Sequence, residues 1–124
     1  MNERSSSHDD LAAIERAVLD RLLDREGEAF AVLRQQAGVA RATSRKFTGV
    51  GFFTSLAVAG DAPRLVPDAG MDPIGGVGAD IAGLRHGAGF VLFVEDGAIK
   101  TLEGFSYDEP WPDLSDDFTL FSTG

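Results

Sequence analysis

The run FVLFVEDGAIKTL, Phe90 to Leu102, constrains the fold more than any other part of the chain. Phe90–Val94 is wholly apolar and rich in aromatic and β-branched side chains, and it runs into Asp96-Gly97. That dipeptide is the strongest short signal for a two-residue hairpin turn, because both residues tolerate positive φ. A strand apolar on both sides is expected at the centre of a sheet that is covered on both faces. With the turn at Asp96-Gly97, Val94 faces Ile99 and Phe93 faces Lys100. In that register Phe90, Leu92, Val94, Ile99 and Thr101 share one face, and Val91, Phe93, Lys100 and Leu102 share the other. Glu103 then falls beside Phe90, on an apolar patch, where a carboxylate needs a cation such as Arg45, Lys46 or Arg85, or a raised pKa.

The first part of the chain has a different period. Ser7 and Asp10 have capping-box spacing ahead of Leu11, Ile14, Val18 and Leu22, with Leu19 and Leu23 widening the stripe. Glu15, Arg16, Asp20 and Arg21 are read as the polar side of that helix. Glu26-Gly27-Glu28 interrupts the pattern; Ala29, Phe30, Leu33 and Ala37 resume it, and Gly38 is a C-cap candidate. The segment is one kinked helix or two helices meeting near Gly27. From Thr43 the pattern is β. Arg45–Gly49 and Phe52–Val58 are two strands, or one strand with a glycine bulge. Residues 60–70 are loop, Ile74–Leu84 is a glycine-bent strand, and Phe118–Phe121 is a last edge strand or an apolar plug. The expected fold is α+β: an N-terminal helix or kinked helix pair on one face of an antiparallel sheet of about 4–6 strands. Residues 1–6 are a disordered leader, and residues 7–124 form a single domain.

Length supports that division. A 13.1 kDa chain of 124 residues buries about two-thirds of its surface on folding, enough for a core without covalent staples. There is no cysteine, so disulfides and thiolate metal sites are excluded. The polar start MNERSSSHDD has no apolar signal-peptide segment, and the longest apolar run is far too short to span a bilayer. A cytoplasmic protein is expected, with no membrane contact. Charge is divided unevenly: residues 1–62 hold 8 Lys+Arg against 9 Asp+Glu, whereas residues 63–124 hold 3 against 11. The second half carries −8 of the net −9, which repels phosphate and favours capture of a basic protein over nucleic acid.

Catalytic signatures are sparse. The two histidines, His8 and His86, stand in a helix start and a turn, and no HxH, HxxxH or HExxH spacing occurs, so no metal is expected. No G-x-S-x-G elbow is present, and Ser44, Thr48 and Thr54 are explained by strand propensity. The glycine run 75–89 matches neither phosphate-binding spacing and leads into a strand, so its glycines are read as bulges or close approaches. No cofactor is implied. A ligand pocket between helix and sheet would draw on Arg45, Arg85, His86 and Glu103, with Phe47, Phe52 and Phe90 as walls. Asp72 or Asp80 could pair with Glu103 as a second acid.

The C-terminal segment is the stronger candidate. Residues 108–117 contain five acids, two prolines and the only tryptophan. Proline lowers the entropy lost on ordering, and Trp and Tyr are frequent interface anchors. Tyr107, Asp108, Glu109, Trp111 and Asp113 are therefore the candidate partner-binding residues. The alternative is that Trp111 folds back over the protein's own sheet edge. The strings Thr48-Gly-Val-Gly-Phe-Phe-Thr54 and Leu102-Glu-Gly-Phe-Ser-Tyr-Asp-Glu-Pro-Trp-Pro112 resemble small uncharacterised bacterial proteins that end in an LEGY-[ST]-Y…WP segment, some of which look like immunity-type partners of toxins. The resemblance spans residues 44–112 and carries no catalytic residues. It implies a non-enzymatic binding protein. Two functions are expected from these readings: an acidic binding module engaging a basic protein, or a small ligand-binding domain or enzyme. The first helix is a candidate homodimer contact in either case.

Overall fold

The computed structural model of the chain describes residues 11–66, 72–112 and 117–123. The leader, the Ser7–Asp10 cap, His8 and Asp113 lie outside these residues. Two helices, α1 (Ala13–Leu22) and α2 (Glu28–Gly38), precede six strands: β1 (Ala40–Phe47), β2 (Gly51–Val58), β3 (Ile74–Ile81), β4 (Ala88–Glu95), β5 (Ala98–Ser106) and β6 (Phe118–Ser122). The strands form one antiparallel sheet in the order β1-β2-β5-β4-β3-β6, so the β4–β5 hairpin is central and β1 and β6 are the edges. The helix pair covers one face, the expected α+β arrangement.

The apolar stripe explains the packing of α1: Ile14, Val18, Leu19, Leu22 and Leu23 are all buried against Phe52, Val77, Phe90, Leu92 and Leu102 of the sheet. The stripe is used in the molecule's own core, not left for a second subunit. Gly27, at φ 118, separates the helices and makes them two. Gly38 is simply the last helical residue, with Val39 at the cap, so no left-handed glycine ends α2. The helices cap each other. Arg34 donates to the carbonyls of Leu23 (2.7 Å), the cap residue of α1, and of Arg25 (2.8 Å) in the interhelical loop, and Arg16 donates to that of Ala37 (2.6 Å) in the last turn of α2, where helical geometry leaves carbonyls open.

The turn falls at Asp96-Gly97, with φ 53 and φ 78, as a type I′ hairpin requires. The register does not continue as the turn alone dictates. Val94 faces Ile99, but Phe93 faces Thr101, and Lys100 is the extra residue of a bulge. Beyond it every side chain of β5 changes face. Leu102 turns inward beside Leu92, Thr101 joins Phe93 outside, and Glu103 faces Val91 on the side away from the helices. The bulge keeps a leucine in the core and a carboxylate out of it. Only one face of the central strand is covered, since Val91 and Phe93 remain half-buried on the other.

Two buried polar groups fix the helices on the sheet. Glu15 lies within the α1 stripe, not on its polar side, and has no solvent exposure. Arg45 grips its carboxylate through Nε (2.9 Å) and Nη2 (2.6 Å), the Ala12 N–H donates at 2.7 Å, and the Thr54 hydroxyl donates as well. Burial pushes the Glu15 carboxyl up, but the bonds from Arg45, Thr54 and Ala12 outweigh it and hold the group below the ordinary 4.5. Gln36, buried in α2, donates to the carbonyls of Pro63 and Gly97 and accepts from the Ile99 N–H, each at 2.9 Å. It ties α2 to the hairpin tip and to the crossover after β2. Leu65 also reaches Gly97 through its N–H (3.0 Å), and a Cβ at Gly97 would collide with the Leu65 carbonyl.

Breaking one side of a buried ion pair leaves an uncompensated charge, so Glu15→Gln and Arg45→Met should each lower unfolding free energy by about 3–5 kcal/mol in denaturant titrations. Because the folded carboxyl titrates low, its contribution is complete above pH 4.5 and is lost as pH falls through the folded value. Stability of the native chain should therefore decline below that pH, and Glu15→Gln should flatten the decline.

Candidate functional site

The end of the sheet where the β1–β2 and β3–β4 turns lie is closed by the segment after β5. Ser106 starts this closure: its N–H and hydroxyl both donate to the Val50 carbonyl, at 2.8 and 3.0 Å. The hydroxyl also bonds the Glu109 carbonyl. Asp108, at φ 67, turns the chain inward. The Glu109 carboxylate then accepts the N–H groups of Arg85 (2.9 Å) and His86 (2.8 Å), tying the segment to the β3–β4 turn. Those two backbone donors, Arg85 first, hold the Glu109 carboxyl below its usual range. The Trp111 N–H donates to the Gly49 carbonyl at 2.8 Å. Its ring meets Phe52 edge-on at 5.3 Å and Phe90 at 6.4 Å. A Cβ at Gly104 would stand 2.5 Å from Phe52 and 3.0 Å from Phe90, so glycine there makes room for this aromatic stack. Trp111 closes its own core. Its indole Nε1–H is buried with no acceptor among the described residues, a cost of about 1–3 kcal/mol that the aromatic packing must outweigh.

Tyr107 behaves differently. It stands 50% exposed on the sheet face away from the helices, its ring perpendicular to Phe105 at 5.7 Å. The register places Phe53, Glu103, Phe105, Val91, Phe93 and Phe121 on this same face. Phe53 is 36% and Phe121 39% exposed, and among the described residues no element packs over them. Phe105 lies across Gly89, where a Cβ would meet its ring at 2.6 Å, so small residues on neighbouring strands flatten the aromatic surface. Asp80 is exposed on the β3–β6 part of this face, and Lys46 stands beside Phe53.

The sequence candidates therefore divide among separate surfaces. Arg45 is on the helix face, committed to Glu15, while Glu103 is on the opposite face. Arg85 and His86 are exposed in the β3–β4 turn, with their backbone N–H groups on Glu109. Arg45 and Glu103 thus share no pocket, and Phe52 and Phe90 face the core. Phe47, 53% exposed, stands 6.3 Å from Phe52 at the rim. Among the described residues no three His, Asp or Glu side chains come together as a metal site, and no helix is long and apolar enough to cross a membrane. Sequence reasoning missed the open aromatic face because its placement depends on the Lys100 bulge. It missed the Glu15 cluster despite a usable signal: Glu15, Leu19 and Leu22 recur at i, i+4 and i+7. No family model, curated protein or solved structure matches the chain at a significant level.

Trp111→Ala should remove about 3–5 kcal/mol of stability by opening a cavity between Phe52 and Phe90. Trp111→Phe keeps most of the packing and deletes the unpartnered N–H, so its cost should be a small fraction of that in the same denaturant titration.

Proposed function

We propose that the protein is a non-catalytic binding module that engages a basic protein through the open face of its sheet. The observation that carries this reading is the aromatic surface formed by Phe53 with Phe105, Tyr107 and Phe121 of the acidic half of the chain, which no element among the described residues covers. The face spans six strands spaced about 4.8 Å apart, with β1–β5 about 26–30 Å long and β6 about 17 Å. Taken whole, polar residues included, it is of the order of the area one partner contributes to a standard protein interface. Residues 72–112 contribute seven acids against Arg85 and Lys100, so the approach to this surface favours a cationic partner. Tyr107 is the tail residue whose ring reaches it, and Asp108, exposed next to it, adds to the negative charge nearby. Trp111 and Glu109 support it from behind by holding the turn in place. An inhibitor- or immunity-type role in the cytoplasm accords with these features and with the resemblance in residues 44–112.

Affinity capture at low and high salt, followed by titration of the captured protein, tests the proposal. Binding should weaken steeply with salt. Phe53→Asp and Tyr107→Ala should each weaken it at least about tenfold, a loss typical of interface anchors, while thermal stability stays near that of the native chain. A partner that binds these variants as tightly as the native chain would place the interface elsewhere and overturn the proposal.

A further inference from the structure

A concave surface distinct from the aromatic face lies between the C-terminal end of α1 and the start of β3. It is a half-open cleft of about 470 Å³ lined by Arg21, Asp24, Arg25, Gly75, Gly76, Val77 and Ser122. Its cations are underused. Arg25 donates to the Gly75 carbonyl and stands 5.6 Å over the Phe30 ring, while Arg21 makes one long bond, 3.4 Å, to the Ser122 hydroxyl. Among the described residues neither guanidinium has a carboxylate within ion-pair distance. Each guanidinium carries five N–H donors in a planar fork, so most of this capacity is unspent. The carbonyls of Leu23 and Arg25, just after α1, are already taken by Arg34. The floor is kept open by glycine. Gly75 and Gly76 form a bulge between Ile74 and Val77, Gly76 has φ 102, and a Cβ there would meet only the Arg25 Nη2, at 3.4 Å. A side chain at that position would project beside the Arg25 head group. Two guanidiniums with no acidic partner among the described residues thus flank a glycine bulge in a chain of net charge −9.

We infer that this cleft binds a small molecule bearing an oxyanion, a phosphate or a carboxylate. Arg21 and Arg25 fork the anion, and the Ser122 hydroxyl donates a further bond. Asp24, on the same wall, accepts from a hydroxyl or ammonium elsewhere on the ligand. The volume suits a metabolite rather than a macromolecule. The inference is independent of the aromatic face and survives if that surface has no partner.

The test is calorimetric titration of the full chain with sodium phosphate and with sodium citrate, each at ionic strength matched with sodium chloride. Saturable binding of at least one probe is expected. Arg21→Gln should weaken it at least about tenfold, as loss of a charge-assisted contact does, and Ser122→Ala should weaken it less. Arg85→Gln removes an equal charge at the far end of the sheet and should leave affinity unchanged. The tighter probe assigns phosphate or carboxylate as the recognised group. No saturable binding of either probe would overturn the inference. So would affinity unchanged in Arg21→Gln, or equally weakened in Arg85→Gln, since the effect would then be absent or mere screening.

Discussion

One buried carboxylate sets the position of the helices. Glu15 gathers the start of α1, through the Ala12 N–H, and strands β1 and β2, through Arg45 and Thr54, onto two oxygen atoms. A charge without solvent is tolerated only when its acceptor sites are filled, so α1 has one acceptable depth and rotation on the sheet. Hydrophobic burial supplies most of the driving force but is non-directional, and a stripe of Leu, Ile and Val would tolerate sliding. Gln36 applies the same restraint at the opposite end, where three bonds hold α2 over the hairpin tip and the crossover. With both ends pinned, the remaining opening of the core is at the far turns, and Trp111 fills it.

Much of the fold was legible in local patterns. The apolar period placed both helices, Gly27 divided them, and Asp96-Gly97 located the central turn. Faces were legible only up to the bulge. A bulge at Lys100 has no local signature, since lysine is an ordinary residue on a strand, and a shift of one residue inverts everything after it. What selects the bulge is tertiary: Leu102 gains a fully buried site next to Leu92, and Glu103 escapes one. The same limit applied to Glu109. Its acidity was visible in the sequence, but its role depends on two N–H groups from a turn more than twenty residues away.

The site reading changed accordingly. Rings and carboxylates clustered in the tail looked like one surface, and the fold separates them. Phe52, Phe90 and Trp111 belong to the core, Glu109 to the turn it caps, and Tyr107 with Phe105 to the open face. The open aromatic face was hidden as a row of alternate residues on four strands. Arg21 of α1, Arg25 just beyond it and the glycine bulge of β3, far apart in sequence, meet only through the packing of the helices on the sheet.

Trp111 packs on Phe52 and Phe90 of the protein's own core, and the proposal of the open face rather than the tail as the recognition surface rests on that placement. Because the chain has a single tryptophan, its fluorescence reads that residue alone. The measurement is acrylamide quenching together with the emission maximum, compared in the native and denatured chain. A blue-shifted emission that acrylamide quenches several-fold less efficiently than in the denatured chain is the result expected. Emission and quenching close to those of the denatured chain would show an indole held out to solvent and contradict the account.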